Sequence, residues 1–556
     1  KIFHSRTIYI RTLEKRIPGI GFGRFCKGER IMQTDYKNKG LILLKKGQKG
    51  IIHAIFSRFG LMLLLLVVQI LILFSIFQWF EDFLPHILGG TALFTVVMVV
   101  YLLNSKINPT AKITWLIAIM LLPVFGVLLF LYTQSNIGHR ALKKRVNDMV
   151  TDTKEQIPQP EDVMAMLREE DKGVAALAHY MHRSGCHPVF ADTSVVYFPQ
   201  GEDKFEEMLK QLEKARHFIF MEYFIIDEGL MWGRILEILA KKAAQGVDVR
   251  LMYDGACEFA LLPHDYPKRL KALGIRCKAF APVSPFVSTH YNYRDHRKIL
   301  VIDGHTAFNG GVNLADEYIN EKVKFGHWKD TAVMLKGDAV KSFTLMFLQM
   351  WGIDEKQVEY TRFLSYPSQP DKRAGGYVIP YGDCPLDNDK LGERVYMDIL
   401  NRSLEYVHIM TPYLILDGEM ETALKFAAER GVEVVLLLPG IPDKAIPYAL
   451  AKTHYASLLE SGVKIYEYTP GFVHAKVFVC DGQEAVVGTI NLDYRSLYHH
   501  FECATYMYRT DCVPEIEKDF QATLAKCRQV TEETVRKEKW SIKAVGSLMK
   551  VAAPLM

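Results

Sequence analysis

The amino-acid sequence predicts an α/β protein in which two tandem repeats adopt a pseudo-twofold arrangement, preceded by N-terminal transmembrane helices. Three observations support this prediction. Strand-like and helix-like patterns alternate through the C-terminal two thirds of the chain. The stretch HRKILVIDGHTAFNGGVNL, residues 296–314, returns with the same polar spacing as HAKVFVCDGQEAVVGTINL, residues 474–492. Three windows without Asp, Glu, Lys or Arg lie upstream, within residues 60–133.

The first 59 residues form a basic tail. They contain 14 Lys and Arg against 3 Asp and Glu, whereas the whole chain of 556 residues has a net charge of only +5. Such a tail favours an anionic surface, either membrane phosphate or nucleic acid. A solvated tail without a partner is an equally good interpretation of the same charge run.

Residues 60–133 are predicted to be a membrane region of two to three hydrophobic helices. The uncharged windows are 60–80, 83–105 and 113–133, each as long as the roughly 20 residues that a spanning helix needs. Basic residues precede the first window and follow the last, and both flanks therefore favour the cytoplasmic side. Because three spans would separate the flanks, the middle window is the candidate for a re-entrant segment. We expect a multi-pass protein of the cell membrane with its C-terminal part in the cytoplasm.

The remainder of the chain divides into a linker, two repeats and a terminal segment. HFIFMEYFII, a helix and GVDVRLMYD in the first repeat match YVHIMTPYLIL, a helix and GVEVVLLLP in the second. Nine scattered cysteines without a C-x-x-C pair indicate reduced thiols. The predicted parts are a linker at 134–175, a first repeat at 176–368, a second repeat at 369–539 and an amphipathic segment at 540–556, which either lies on a membrane surface or docks on the protein.

The repeated stretches place polar residues where they can act together. A His and a Lys two residues apart on a strand project from the same face. The following Asp-Gly pair predicts a hairpin turn, and the returning strand brings an Asn back beside the His and Lys. These residues are His296, Lys298, Asp303 and Asn313 in the first repeat and His474, Lys476, Asp481 and Asn491 in the second.

This set of side chains suits phosphodiester chemistry. An imidazole can attack phosphorus or transfer a proton, while Lys and Asn can hold phosphate oxygens. One His cannot attack and protonate the leaving oxygen in the same step. Two motifs brought face to face supply one His for each task, which explains why the chain contains the motif twice.

Both stretches resemble the HKD motif of the phospholipase D superfamily, with the Asn seventeen residues after the His. Within that superfamily, the chain is most similar to bacterial cardiolipin synthases over about residues 106–556. The similarity is carried by TWLIAIMLLPVFGVLLFLY, GGVNLADEY, HWKDTAVMLKGDAV and GTINLDYRS. It implies two phospholipase D-like α/β repeats, no metal or other cofactor, and a membrane enzyme that converts two phosphatidylglycerol molecules into cardiolipin and glycerol.

The resemblance also implies roles for further residues. Thr489 lies where the family places a phosphate-contacting hydroxyl, and Glu502 where it places a carboxylate that orients a catalytic histidine. In the first repeat Gly311 replaces the hydroxyl, and Asp330 is the candidate carboxylate.

By the same resemblance, we expect His296 to be the nucleophile and His474 to be the general acid and then the base. The Lys and Asn residues would hold the non-bridging oxygens. Asp303 and Asp481 are either local supports of the site or plain turn formers.

Several alternatives remain open at the level of sequence. Glu222 either lines the site or is a partnered core residue, and His499 and His500 favour a surface or supporting place over metal ligation. A phospholipase D that releases phosphatidic acid would need the same catalytic set. A nucleic-acid phosphodiesterase and a non-catalytic membrane scaffold are the remaining rivals. The membrane windows count against the first of these, and two intact motifs count against the second. No nucleic-acid partner is expected, and the oligomeric state is left open.

Overall fold

The computed structural model describes residues 33–34, 41–43, 71, 74–75, 91–105, 107–134, 140–282, 293–387 and 389–555. At the N-terminal end, two short strands pair antiparallel: β1 (Gln33–Thr34) and β2 (Leu41–Ile42). Of the basic tail, only these two strands and Leu43 fall within the described part. The eight cysteines from Cys186 to Cys527 are unpaired thiols.

The predicted membrane region contains three helices: α1 (Thr91–Asn104), α2 (Pro109–Leu121) and α3 (Pro123–Gln134). They pack on one another through a small apolar core that includes Trp115 and Phe130. The window at 113–133, expected to be one span, is divided between α2 and α3. A proline at position 123 has no backbone N–H to donate to the preceding turn. Among the described residues, no helix has both the length and the apolarity to cross a membrane, so the predicted transmembrane helices are not found there. The window at 60–80 falls almost entirely outside the described residues.

The segment at 134–175, expected to be a polar linker, is largely helical. It contains α4 (Arg140–Asp152), α5 (Glu161–Glu170) and the start of α6 (Lys172–Gly185). Leu167 and Val174 are completely buried in the core of the second repeat. The apolar residues of these helices recur at helical spacing and cover one face of that repeat.

The first repeat is a seven-stranded mixed sheet with helices on both sides. Its strands follow the order β3-β11-β9-β8-β4-β5-β6. The seven sheet strands are β3 (Ser194–Phe198), β4 (Phe218–Tyr223), β5 (Asp248–Asp254), β6 (Arg276–Phe280), β8 (Lys298–Ile302), β9 (Thr306–Gly310) and β11 (Ala332–Lys336). Two short strands of this repeat, β7 (Arg294–Asp295) and β10 (His327–Lys329), pair outside this sheet. The helices are α7 (Gly201–Lys214), α8 (Leu230–Ala244), α9 (Cys257–Ala260), α10 (Tyr266–Lys271), α11 (Val340–Trp351) and α12 (Tyr360–Leu364).

The second repeat has the same strand order with one additional edge strand, β12-β19-β18-β17-β13-β14-β15-β20. The strands are β12 (Tyr377–Asp383), β13 (Tyr406–Met410), β14 (Glu433–Pro439), β15 (Lys464–Tyr468), β16 (Gly471–Val473), β17 (Val477–Cys480), β18 (Glu484–Gly488), β19 (His500–Tyr508) and β20 (Cys527–Val530). The helices are α13 (Leu391–Arg402), α14 (Gly418–Glu429), α15 (Ala445–Glu460), α16 (Tyr494–Tyr498), α17 (Val513–Leu524), α18 (Glu532–Lys537) and α19 (Trp540–Ala552). The two-repeat α/β fold is therefore confirmed.

Two pairs of short parallel strands join the repeats in a reciprocal way. β7, just before the first motif, pairs with the start of β19, with Arg294 opposite His500. β16, just before the second motif, pairs with β10, with Phe472 opposite Trp328. A shared apolar core, which includes Phe343 of the first repeat, lies behind these strands. The two motifs are thus held against each other by backbone hydrogen bonds in pseudo-twofold symmetry.

Candidate active site

The Asp of each motif shapes the turn rather than facing the site. Asp303 and Asp481 both adopt left-handed backbone geometry, with φ of 51° and 48°. The Asp303 carboxylate accepts hydrogen bonds from the backbone N–H groups of Arg216, His217 and Phe218 at 2.7–2.8 Å. In the second repeat, the Asp481 carboxylate accepts the equivalent three bonds from residues 404–406. Each Asp therefore ties the motif's hairpin to the neighbouring strand.

Each motif histidine is bonded to a carboxylate from the other repeat. The Nδ1 atom of His296 lies 2.9 Å from both carboxylate oxygens of Glu502. The Nδ1 atom of His474 lies 2.7 Å from Oδ2 of Asp330. Both predicted carboxylates thus reach a histidine, and they cross between the repeats.

The crossing follows from the short strands between the repeats. The backbone N–H of His296 donates to the carbonyl of Phe501 at 2.9 Å, one residue before Glu502. The N–H of His474 donates to the carbonyl of Lys329 at 2.7 Å, one residue before Asp330. A histidine and its carboxylate are therefore neighbours across a parallel pair of strands.

These contacts determine which ring nitrogen can react. An ionised carboxylate can only accept, so each Nδ1 carries the proton and leaves Nε2 with its lone pair. Burial lowers the pKa of His296 well below its usual value, and burial together with Lys476 lowers that of His474 to about 4. Burial alone would raise the pKa of Glu502, but the adjacent His296 lowers it overall. Both imidazoles are thus neutral near pH 7 until a phosphate enters.

Thr489 and Gly311 occupy equivalent positions in the two repeats. Thr489 lies beside the longer carboxylate, Glu502, and Gly311 lies beside the shorter one, Asp330. The Thr489 hydroxyl donates to Glu502 and accepts from the backbone N–H of Cys503 at 3.0 Å. It therefore holds the carboxylate, and the phosphate contact implied by the resemblance stays a prediction. At Gly311, a β-carbon would lie only 2.1 Å from Oδ1 of Asp330. The shorter Asp side chain takes the space that a side chain at position 311 would need.

The motif lysines and asparagines converge on the same buried site. Lys298 and Lys476 are each 1% exposed, and burial lowers their pKa values to about 8 and about 7. The charge of Lys298 also lowers the pKa of His474, so both repeats contribute to one site. Asn491 has a buried Oδ1 without a hydrogen-bond partner among the described residues. By contrast, Asn313 accepts from the N–H of Ile225 at 3.0 Å and donates to the Tyr318 hydroxyl at 2.8 Å.

His500, for which the sequence favoured a surface or supporting place, lies beside His296. Its ring centroid lies 5.4 Å from that of His296, and its Nδ1 lies 3.5 Å from Glu502. The period-2 spacing of His500 and Glu502 on β19 was the signal available in the sequence. Donor atoms of His296, His500 and Glu502 lie within 4.8 Å of one another, a set of the kind that binds zinc. His499, the other histidine of the pair, is only half-buried.

The two histidines have different surroundings. The His474 ring is enclosed by Tyr318, Trp328 and Phe472, with centroid distances of 5.4, 5.4 and 5.9 Å. Within the described part of the chain, the rings near His296 are Phe224, at 5.0 Å, and the polar ring of His500.

Glu222, which the sequence left open, has its charged neighbour in Arg297 and not in either motif histidine. It is completely buried, with Arg297 3.9 Å away, and its pKa is raised by burial and by Asp295. It is therefore a core residue close to the first motif.

Comparison with known proteins agrees with this geometry. The family model described as "Cardiolipin synthase, PLD-like domain" matches residues 208–351 and 396–524, and "Phospholipase_D-nuclease N-terminal" matches residues 93–132. A cardiolipin synthase of Halalkalibacterium halodurans is 32% identical over 83% of this chain and 91% of its own length. An uncharacterized protein of Streptococcus mutans is 57% identical over 82% of this chain and 99% of its own.

Among solved structures, a phosphatidylserine synthase of Haemophilus influenzae shares the fold. Its TM-score is 0.53 at 13% identity, and the match covers 66% of this chain and 97% of that one. The fold, the paired motifs and the relatives agree, and the chain belongs to the cardiolipin synthase family of the phospholipase D superfamily of enzymes.

Proposed function

We propose that this protein is a phosphatidyltransferase that converts two molecules of phosphatidylglycerol into cardiolipin and glycerol. The observation that carries the proposal is the pair of buried imidazoles, each oriented by a carboxylate of the opposite repeat. Such a pair supplies one nucleophile and one acid–base group for a double displacement at phosphorus.

In the first step, the bare Nε2 of one histidine attacks the phosphorus of phosphatidylglycerol. A phosphorus–nitrogen bond forms, the bond to the glycerol headgroup breaks, and the other histidine protonates the departing oxygen. The charges of Lys298 and Lys476 stabilise the non-bridging oxygens, with Asn491 beside them. Glu502 and Asp330 stabilise each imidazole when it becomes cationic.

In the second step, a hydroxyl of another phosphatidylglycerol headgroup attacks the phosphatidyl-histidine. The acid–base histidine now removes the proton from that hydroxyl, and the phosphorus–nitrogen bond breaks. Cardiolipin is released, and both imidazoles return to their initial state. The near-symmetry of the two motifs allows either histidine to take either role.

We also propose that the protein works at the cytoplasmic face of a bacterial membrane. Apolar side chains of α1 and α2 remain exposed, including Val96, Val97, Met120 and Leu121. An apolar patch of this kind marks a membrane or protein contact. The relatives' name, cardiolipin synthase, accords with a lipid substrate at that surface.

The test is the product formed on vesicles of phosphatidylglycerol, identified by mass. Cardiolipin and glycerol support the proposal. Phosphatidic acid as the main product would show that the protein hydrolyses the lipid and does not transfer the phosphatidyl group. Cleavage of oligonucleotides without lipid turnover would favour a nucleic-acid phosphodiesterase. His296→Ala and His474→Ala should each abolish turnover. His408→Ala is the matched control, because His408 is also buried and paired with a carboxylate, Glu517 at 3.0 Å, but is not part of either motif.

A further inference from the structure

A polar cavity of about 380 Å³ lies next to the His296 side of the site. Its wall consists of the loop after β12, part of α16 and the start of β19. The lining residues include Asp383, Asp387, Asp389, Lys390, Tyr498 and His500. Burial raises the pKa of Asp383 to about 7 and that of Asp387 to about 6. The Asp383 oxygens already accept from the backbone N–H groups of Cys384 and Gly392, so Asp387 is the carboxyl group more open to a ligand.

His500 links this cavity to the reacting imidazole. Its side chain is 92% buried, since only 8% of it is exposed, and its Nε2 has no hydrogen-bond partner within the described part of the chain. A buried ring nitrogen without a partner is costly unless a ligand or water satisfies it. His500 lines the cavity on one side and contacts the His296 ring on the other.

The cavity also adjoins the apolar N-terminal helices. The Tyr498 hydroxyl accepts a hydrogen bond from Asn108 at 2.9 Å, and Asn108 is the N-cap of α2. A lipid whose tails remain beside α2 can therefore present its headgroup to the cavity.

We infer that this cavity is the subsite for the glycerol headgroup, where its hydroxyls bind as leaving group and as acceptor. This inference rests on the proposed function. Glycerol is a small neutral polyol, and the Asp387 carboxyl, the Lys390 ammonium and the His500 imidazole offer it both donors and acceptors. On the His474 side, by contrast, the Tyr413 hydroxyl is already bonded to Asp443, and the Tyr318 hydroxyl already accepts from Asn313.

The position of the subsite assigns the two catalytic roles. In an in-line displacement, the leaving oxygen lies opposite the nucleophile, beside the general acid. A headgroup held next to His296 makes His296 the acid and then the base, and makes His474 the nucleophile. This order is the reverse of the one expected from the resemblance. The rings of Tyr318, Trp328 and Phe472 would then shield the phosphatidyl-histidine from water.

The subsite can be tested with soluble acceptors in the reverse reaction. Cardiolipin and glycerol give two phosphatidylglycerols, whereas cardiolipin and 1-propanol give phosphatidylglycerol and phosphatidylpropanol. Asp387→Leu should raise the KM for glycerol at least tenfold and change the KM for 1-propanol less than twofold. Asp387→Asn keeps an acceptor for the N–H of Asp389 and serves as the second variant if the leucine variant does not fold. It should raise the KM for glycerol at least threefold. The matched control is Asp443→Leu, because Asp443 is a carboxylate bonded to Tyr413 on the His474 side. This substitution should leave the KM values for glycerol and 1-propanol unchanged.

The roles are tested with a phosphatidyl donor that carries a good leaving group, because such a group departs without protonation. His296→Ala should then accumulate a covalent adduct on the His474 peptide, and His474→Ala should form none. An adduct on the His296 peptide would overturn the assignment, and an unchanged KM for glycerol in both Asp387 variants would overturn the subsite. A wild-type protein that makes no cardiolipin from phosphatidylglycerol would instead refute the proposed function.

Discussion

Glu502→Gln is the substitution that most directly tests how the two repeats cooperate. Glu502 is completely buried, and both of its oxygens lie 2.9 Å from Nδ1 of His296. Glutamine keeps the shape but removes the charge that stabilises a cationic His296. Its amide can also turn an N–H toward Nδ1, which would favour the wrong tautomer of the imidazole.

The expected size follows from the burial of the pair. His296 is 6% exposed and becomes cationic during turnover, so the substitution leaves a buried charge without its partner. Breaking such a pair costs about 3 to 5 kcal/mol. At a factor of ten per 1.36 kcal/mol, kcat should fall roughly 150- to 5000-fold. The KM should change little, because Glu502 has no contact with the substrate in the proposed mechanism.

The assay is cardiolipin formation from labelled phosphatidylglycerol, with thermal unfolding measured on the same samples. Glu517→Gln is the matched control, since Glu517 holds His408 at 3.0 Å in the same repeat and should retain at least half of the wild-type rate. A Glu502→Gln protein that folds and loses less than tenfold in kcat would refute the role given to the crossed carboxylate.

Three further predictions concern pH, the turns and metal ions. As pH rises through about 7 to 8, the buried Lys476 and Lys298 lose their protons, so kcat/KM should fall on the alkaline side. Lys476→Arg should move this alkaline fall to higher pH. An unchanged pH profile in this variant would contradict the role given to Lys476. Asp303→Ala removes three hydrogen bonds from backbone N–H groups and should lower the free energy of unfolding by about 3 kcal/mol, measured by denaturant titration. The kcat per folded molecule should stay within about threefold of wild type. A large loss of kcat at unchanged stability would instead indicate a catalytic role. EDTA should leave turnover unchanged, whereas added Zn²⁺ should inhibit by binding His296, His500 and Glu502; loss of activity in EDTA that a divalent ion restores would refute the metal-independent mechanism.

The local features of this protein could be predicted from its sequence. The strand positions of both motifs, their Asp-Gly turns and the duplication depend on residues close together in the chain. Side chains two apart on a strand share a face, so His and Lys were predicted to act together. The candidate carboxylates Asp330 and Glu502 were also found, because the resemblance placed them at a known distance from the motifs.

The apolar N-terminal part shows where local patterns are insufficient. Hydropathy predicts a helix over 113–133, and the residues there are indeed helical. A single proline at position 123 divides the segment into α2 and α3. Helices α4 and α5 and the start of α6 fall in the segment predicted as a linker, because polar residues and prolines dominate its composition. The apolar faces of α5 and α6 are buried against the second repeat.

The tertiary structure alone decided which groups meet at the reacting atoms. Glu502 is 206 residues from His296, and Asp330 is 144 residues from His474. Spacing along the chain carries no information about such pairs. Pairing of β7 with β19 and of β10 with β16 crosses the carboxylates between repeats and brings His500 beside His296. The same pairing makes the two histidines unequal in their surroundings, although their motifs are nearly identical in sequence.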